Sequence, residues 1–391
     1  MKKLKKEFEN ELTDNILNYW VTRVYDPRRQ TFAGTIGPDE RADPEAPLGS
    51  VLISRILWTF SAVCRYFPTA LYQKIADEAY RILAGHFWDD RSGGVFWEVS
   101  PGGRVIDDSK QVYAQSFALY AFSEYAAVFG NTESKQLAVT LFHLMERYAA
   151  DVRYGGYTES RSADWENPAR KVILPPGEGI NKSMNTHLHV LEAYTNLYRI
   201  CGQEEVRTRI VHLLELFTRR IINPGNHHFH MFFDNDWSVR STGISYGHDI
   251  EGSWLLWEAA EVLGNQRLMQ FLKPQLTAMA LAVGSEALDP EGGLYNESDM
   301  GHMDKDFHWW PQAEAVVGFW NAWQLTGENE FRKWSENAWK FIGRYQRDVK
   351  QGEWFWLITP DYTVKPMVKV SPWKCPYHNG RMCMEMIRRL T

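Results

Sequence analysis

"RSGGVFWEV" (residues 91–99), followed after a short gap by "QVYAQSFALYAFSEYAAVFG" (residues 111–130), decides the fold. The first stretch sets a glycine pair against aromatic and β-branched residues, which reads as hairpin-like punctuation. The second is apolar and rich in small residues, the composition of a helix buried on most of its faces. The punctuation recurs as "QTFAGTIG" (30–37), "RYGGYTES" (153–160), "HHFHMFFDNDW" (227–237), "PEGGLYNES" (290–298) and "QGEWFWLITPDY" (351–362). With Gly34, Gly93, Gly155, His230, Gly292 and Gly352 as markers, the spacings are 59, 62, 75, 62 and 60 residues. A near-constant period signals a repeat architecture.

Two kinds of helix lie between the marks. "LYQKIADEAYRILAGHF" (71–87) and "ESKQLAVTLFHLMERYA" (133–149) carry apolar residues at three-four spacing and polar faces, as half-solvated outer helices do. "VLISRILWTFSAVCRYF" (51–67), "NTHLHVLEAYTNLYRI" (185–200), "GSWLLWEAAEVLG" (252–264) and "QAEAVVGFWNAWQLTG" (312–327) join 111–130 as more apolar inner helices. Six outer–inner pairs close into an all-α (α/α)6 barrel with short hairpins at one end, and residues 1–391 are expected to form a single catalytic domain. Each inner helix follows a hairpin, so all the inner N-termini open at one mouth. Their free N–H groups and dipoles make that mouth receptive to oxyanions, and a pocket there is the default site.

The polar residues early in the inner helices then become candidates. They are Arg55, Tyr113 with Gln115, Asn185 with His189 and Glu192, His248 with Glu251, and His378 at the entrance of the last helix. Asn185 and His189 are four apart and share a face. His187 lies roughly 200° around the wheel from His189. The two cannot face one pocket, and alignment with Asn185 favours His189. Three histidines from separate helices thus converge. "HHFH" (227–230) resembles a metal tract, but alternate hairpin residues face opposite sides, so an exposed hairpin is expected there. His86, His143 and His212 fall on outer helices and read as structural; His302 and His308 flank the fifth mouth.

Composition narrows the partners. Lys and Arg total 43 against 49 Asp and Glu, a net charge of −6 without a basic stripe, which excludes a nucleic-acid footprint. The basic start "MKKLKKEFEN" leads into an amphipathic helix rather than an apolar signal core, and no apolar run is long enough to span a membrane. Aromatics make up 14% of the chain, with 17 Trp, more than a core needs and suited to flat ligands such as sugars. Four cysteines, Cys64, Cys201, Cys375 and Cys383, are too few for a disulfide scaffold and point to a reduced, cytoplasmic setting. Cys375 and Cys383 have only His378 nearby, short of a zinc set; no metal is expected, with metal binding by His189, His248 and His378 the competing use of those residues.

"KSMNTHLHVLEAY" (182–194), "YGHDIEGSWLL" (246–256), "WWPQAEAVVGF" (309–319) and "WKCPYHNGRMCMEM" (373–386) resemble the cellobiose 2-epimerase branch of the N-acylglucosamine 2-epimerase superfamily. The resemblance covers most of the chain in order. It implies interconversion of reducing-end glucose and mannose in β-1,4-linked disaccharides such as cellobiose and lactose. It also implies that His248 and His378 are the acid–base pair, and that His189 assists ring opening. Arg55, Tyr113 and Asn185 become the polar set around O1–O3, Glu251 the partner of the fourth-helix site, and Trp310 and Trp373 stacking platforms. His187, Asp306 and Trp309 are carried as further sugar contacts.

The chemistry suits these residue types. After ring opening, removal of the C2 proton gives an enediolate that Arg55 and helix N-termini stabilise. Inversion needs a base on one face and an acid on the other, which two histidines titrating near neutrality supply. No dinucleotide fingerprint is present, so no cofactor is expected, and the absence of an interface signal leaves a monomer as the expectation. Sibling activities on N-acylglucosamine or between aldose and ketose share the enediolate. An inverting glycosidase on the same barrel would instead need two carboxylates about 6.5–9.5 Å apart, with Asp306, Glu314 and Glu251 as candidates.

Overall fold

The computed structural model describes residues 1–170, 172, 174 and 179–391. Twelve α-helices alternate between two concentric layers among the described residues. The outer helices are α1 (Lys2–Asn10), α3 (Ala70–Ile82), α5 (Thr132–Leu144), α7 (Glu204–Leu216), α9 (Gln266–Ala287) and α11 (Asn329–Phe341). The inner helices are α2 (Ser50–Val63), α4 (Val112–Phe129), α6 (Met184–Cys201), α8 (Tyr246–Leu263), α10 (Trp309–Thr326) and α12 (Tyr377–Arg389). Each inner helix packs on the next, and α12 returns to α2, so the ring is closed. Every residue of α2 is buried, whereas α3 buries only Ile75, Ala76, Ala79 and Ile82, the composition contrast expected of the two layers.

The punctuation is a six-fold set of Asx turns. Asp26, Asp89, Asp151, Asn223, Asp289 and Asp348 stand at the exit of successive outer helices, each accepting a backbone N–H two residues on. These side chains fix the turn as Asp and Asn commonly do. Three of the carboxylates also take a buried lysine: Lys110 on Asp89 at 2.9 Å, Lys182 on Asp151 at 2.7 Å and Lys369 on Asp348 at 2.9 Å.

The short strands stitch neighbouring units. Leu48–Gly49, just before α2, pairs with Glu98–Val99 of the next turn. Lys110–Gln111 pairs with Ser160–Arg161, Lys182–Ser183 with Phe232–Phe233, Ile244–Ser245 with Glu297–Asp299, and Phe307–His308 with Leu357–Ile358. The sixth step joins the two ends of the chain through the bridge Ile36–Val370. These pairings hold every inner N-terminus at one end of the barrel.

Register along the inner helices is shared. Counting from each first helical residue, the fourth is Gln115 in α4, His187 in α6, Asp249 in α8 and Gln312 in α10. All four point outward and pin the hairpin behind them. Gln115 brackets Val95, accepting its N–H at 2.8 Å and donating to its carbonyl at 2.7 Å. Gln312 does the same for Leu294, while Asp249 accepts from Phe229 and the His187 Nε2 accepts from Tyr157. Gly156 has φ +77°, and a Cβ there would lie 2.6 Å from the His187 Nε2, so the approach requires glycine.

The "HHFH" tract departs from the exposed hairpin expected. His228 is 1% exposed, with Nδ1 2.7 Å from Asp249 and Nε2 3.1 Å from Glu286. It locks the hairpin to α8 and α9.

Gln115→Leu removes both partners of the buried Val95 backbone. The expected cost is about 2–4 kcal/mol, read as a lower urea midpoint with an unchanged slope.

Candidate active site

Two residues beyond each outward-facing fourth position, roughly 200° around the helix, lies a side chain that faces the barrel axis. The sixth positions are Arg55 in α2, Phe117 in α4, His189 in α6, Glu251 in α8 and Glu314 in α10. Arg381 from α12 completes the ring. Ring and floor are buried together: His189 is 3% exposed, Arg55 3%, Glu251 0%, Glu314 1% and Arg381 2%.

Arg381 is the hub. Its Nη1 donates to Glu192, and its Nη2 to both Glu251 and Glu314, the latter at 2.7 Å. Its guanidinium lies over the Tyr377 and Trp254 rings, 4.3 and 4.8 Å from their centroids. The three carboxylates in turn reach the histidines. Glu192 holds the His189 Nδ1 at 2.9 Å, and Glu314 holds the His378 Nδ1 at 2.7 Å. Glu251 is 3.8 Å from the same His378 nitrogen, so Glu314 is the primary partner and Glu251 the flanking one. The His248 Nδ1 meets the Ser245 hydroxyl at 2.7 Å. Each of the three histidines is thus gripped at Nδ1, which leaves Nε2 for chemistry.

The aromatics enclose this set. The Trp310 indole contacts two histidines, with ring centroids 4.6 Å from His248 and 5.5 Å from His378. On the opposite wall Tyr113 packs edge-on against His189 at 5.1 Å and against Trp373 at 5.9 Å. Its hydroxyl accepts from the Arg55 Nη2 at 2.9 Å. Trp373 is 39% exposed and pairs with Trp97 at 6.1 Å, leaving a large apolar face at the rim. The Asn185 Oδ1 has no partner among the described residues.

Burial decides the charges. It drives His248 down to about 3, helped by His189, and it carries His378 and His189 below the usual imidazole range. Desolvation thus favours the neutral imidazole at both members of the expected acid–base pair, more fully at buried His378 than at half-buried His248. Burial also favours neutral Glu192, but Arg381, His189 and Tyr377 outweigh it and hold the group at about 2. Glu251 goes the other way, pushed up to about 8 by burial and by the neighbouring Glu314. Its Oε2 is buried without a partner, which an ionised carboxylate tolerates poorly. Glu314 is raised in direction too, yet both its oxygens accept hydrogen bonds, from Arg381, Trp254 and His378. The geometry puts the proton on Glu251 and leaves Glu314 as the acceptor. Glu251, Glu314 and His378 offer three atoms within 4.8 Å of one another. The Arg381 guanidinium already bridges both carboxylates, so a metal ion there would meet a fixed cation.

Two expected contacts are corrected. Both ring nitrogens of His187 serve the scaffold, Nδ1 with the Ser183 carbonyl at 2.7 Å and Nε2 with the Tyr157 N–H at 2.9 Å. Trp309 is 4% exposed and packs on Trp356 at 4.6 Å, which makes it wall rather than platform. Asp306 is half-buried in the loop before α10, its backbone N–H donating to Asp304 at 3.0 Å. Residues that sequence reasoning passed over are Arg381, Tyr377, Phe117 and Ser245. The repeat register identifies Phe117 once His189 is chosen.

The family model described as N-acylglucosamine 2-epimerase matches residues 32–380. A cellobiose 2-epimerase of Bacteroides fragilis is 41% identical over 387 residues, 98% of each chain. One of Dictyoglomus turgidum is 38% identical over the whole of both chains. The solved structure of cellobiose 2-epimerase from Bacillus thermoamylovorans superposes with a TM-score of 0.95 at 35% identity, covering all of both chains.

Arg381→Met leaves buried carboxylates without their cation and is expected to cost about 3–5 kcal/mol. Glu192 is depressed in the fold, so its share is present above the ordinary Glu value near 4.3 and is lost as pH falls towards about 2. The gap between wild type and variant in unfolding midpoint should therefore narrow across that acid range.

Proposed function

The chain belongs to the N-acylglucosamine 2-epimerase family and is an epimerase, and we propose that it inverts C2 of the reducing-end sugar of β-1,4-linked disaccharides such as cellobiose and lactose. The whole chain acts as one catalytic unit, with the disaccharide as its partner. The observation that carries the reading is the pair His248 and His378 packed against one indole, Trp310, each gripped at Nδ1.

The reaction begins with ring opening. His189, with ionised Glu192 behind its Nδ1–H, takes the O1 proton through Nε2 and returns it to O5 as the aldehyde forms. Glu192 stabilises the imidazolium while it lasts, as a carboxylate behind a catalytic histidine does. Arg55, Tyr113 and Asn185 form the polar set around O1–O3, and Trp310 and Trp373 stack on the sugar rings. Neutral His248 then removes the C2 proton on one face. The electron pair moves into the enediolate, whose charge Arg55 offsets.

Reprotonation needs an acid on the other face. His378 meets that need once it has taken a proton from solvent on Nε2: its Nδ1–H stays on Glu314, at 2.7 Å, and the Nε2–H of the imidazolium protonates C2. His248 then releases its proton to solvent and His378 takes one up, which restores the starting state; in the reverse direction the two histidines exchange roles. An inverting glycosidase is disfavoured by one contact. Glu251 and Glu314 bond the same guanidinium nitrogen, which brings them closer than the separation an intervening water requires.

His248→Ala and His378→Ala are each expected to lower turnover about 10²–10⁴-fold while retaining the fold. Turnover should fall on the alkaline side as Glu251, held at about 8, loses its proton. The acid limb should lie below the ordinary histidine range, because both histidines are depressed. Glu251→Gln should abolish the alkaline titration. The deciding experiment is turnover of cellobiose in heavy water with C2 followed by NMR. Deuterium should enter C2 of the mannose-ended product, and later of recovered substrate. Product that keeps its original C2 hydrogen would sink the two-histidine scheme.

A further inference from the structure

The opposite end of the barrel holds a cavity of about 700 Å³, well within the range of small-molecule sites. Its floor continues the inner register. The ninth residues of α2, α4 and α8 are Trp58, Tyr120 and Trp254, and all three line it. Trp58 and Tyr120 stack at 5.1 Å with an interplanar angle of 21°, presenting an aromatic shelf. The Tyr120 hydroxyl makes no hydrogen bond among the described residues although the residue is only 6% exposed. The wall above is built of planar charged pairs, Arg65–Glu124 at 2.7 Å and Arg199–Glu258 at 2.9 Å. Such pairs are self-neutralised yet keep free donor and acceptor edges.

We propose that this cavity is a second, non-catalytic site for an uncharged saccharide, coupled to the catalytic histidines through the partition that separates the two ends. An aromatic shelf beneath paired charges, with the Lys135 ammonium donating to the Ile200 carbonyl at 3.0 Å, suits a ligand with apolar ring faces and many hydroxyls. The C-terminal ends of α2, α4, α6 and α8 also converge here, and their last carbonyls accept hydroxyl donors.

The partition is Arg381 and Trp254. Both line the cavity and both bond Glu314, Arg381 at 2.7 Å and the Trp254 Nε1–H at 3.0 Å. Glu314 holds His378, and Arg381 also holds Glu192, which holds His189. A sugar resting on Trp58, Tyr120 and Trp254 therefore bears on groups that orient two catalytic histidines. The assignment rests on the proposed function only in the choice of probe.

The test uses methyl β-cellobioside, whose blocked reducing end cannot open, with the full-length protein in calorimetry and ligand-observed NMR. Two binding events are expected. Trp373→Ala should weaken one and leave the other. Ala127→Trp, a rim substitution at an exposed position that fills the cavity, should weaken the second by about tenfold or more, about 1.4 kcal/mol. Tyr120→Phe tests the same event without added bulk. In the Trp373→Ala protein, the remaining event should shift the His378 and His189 ring resonances. A single event that disappears in Trp373→Ala overturns the site, as does a second event unaltered by both rear substitutions. Rear binding without the resonance shift overturns the coupling. Failure of the epimerase assay with both events intact would count against the proposed function alone.

Discussion

One guanidinium surrounded by three buried carboxylates governs this molecule. Arg381 bonds Glu192, Glu251 and Glu314, and no water-exposed charge shares the burden, since all four side chains are no more than 4% exposed. The arrangement leaves the acids in excess of the one cation. Burial resolves the surplus by retaining a proton on Glu251, while Glu192 and Glu314 stay acceptors. The same carboxylates fix the tilt and tautomer of His189 and His378 through Nδ1. Charge balance and catalytic geometry are therefore a single problem with one solution, and the six-helix ring exists to hold its parts at one height.

The scaffold meets that requirement by register. The fourth residue of four inner helices faces out to pin a hairpin, and the sixth faces in. Inner and outer functions thus alternate along each helix through the ordinary 100° step. Strand pairs between neighbouring units then prevent one helix from sliding against the next. A slide of one residue would take a histidine or carboxylate out of the ring and bring in an aliphatic side chain.

Much of this is legible in the chain. The glycine–aromatic marks, their period and the contrast between inner and outer helices predict the barrel and the mouth. The pairing of Asn185 with His189, and the opposition of His187, follow from the wheel. What the sequence hides is long-range partnership. Arg381 lies in "HNGRMCMEM" with nothing nearby to show that it meets acids 67, 130 and 189 residues away. Trp309 and Trp310 are adjacent and alike, and only packing separates the wall from the platform. The charge state of the histidines was equally hidden, because it depends on how completely the ring is desolvated. His228 misled for a related reason: its partners Asp249 and Glu286 come from two other helices.

The ring is closed last by the segment nearest the C-terminus. Val370 pairs with Ile36, and α12 packs against both α1 and α2. During synthesis the first eleven helices, the whole outer layer among them, leave the ribosome before Trp373, His378 and Arg381 do. Until then the carboxylates of α6, α8 and α10 have no counter-charge and the wall stands open as a horseshoe. Assembly of the catalytic cluster is thus tied to synthesis of α12, so that a chain that stops before it lacks both the cation that neutralises the interior and the histidine that does the chemistry.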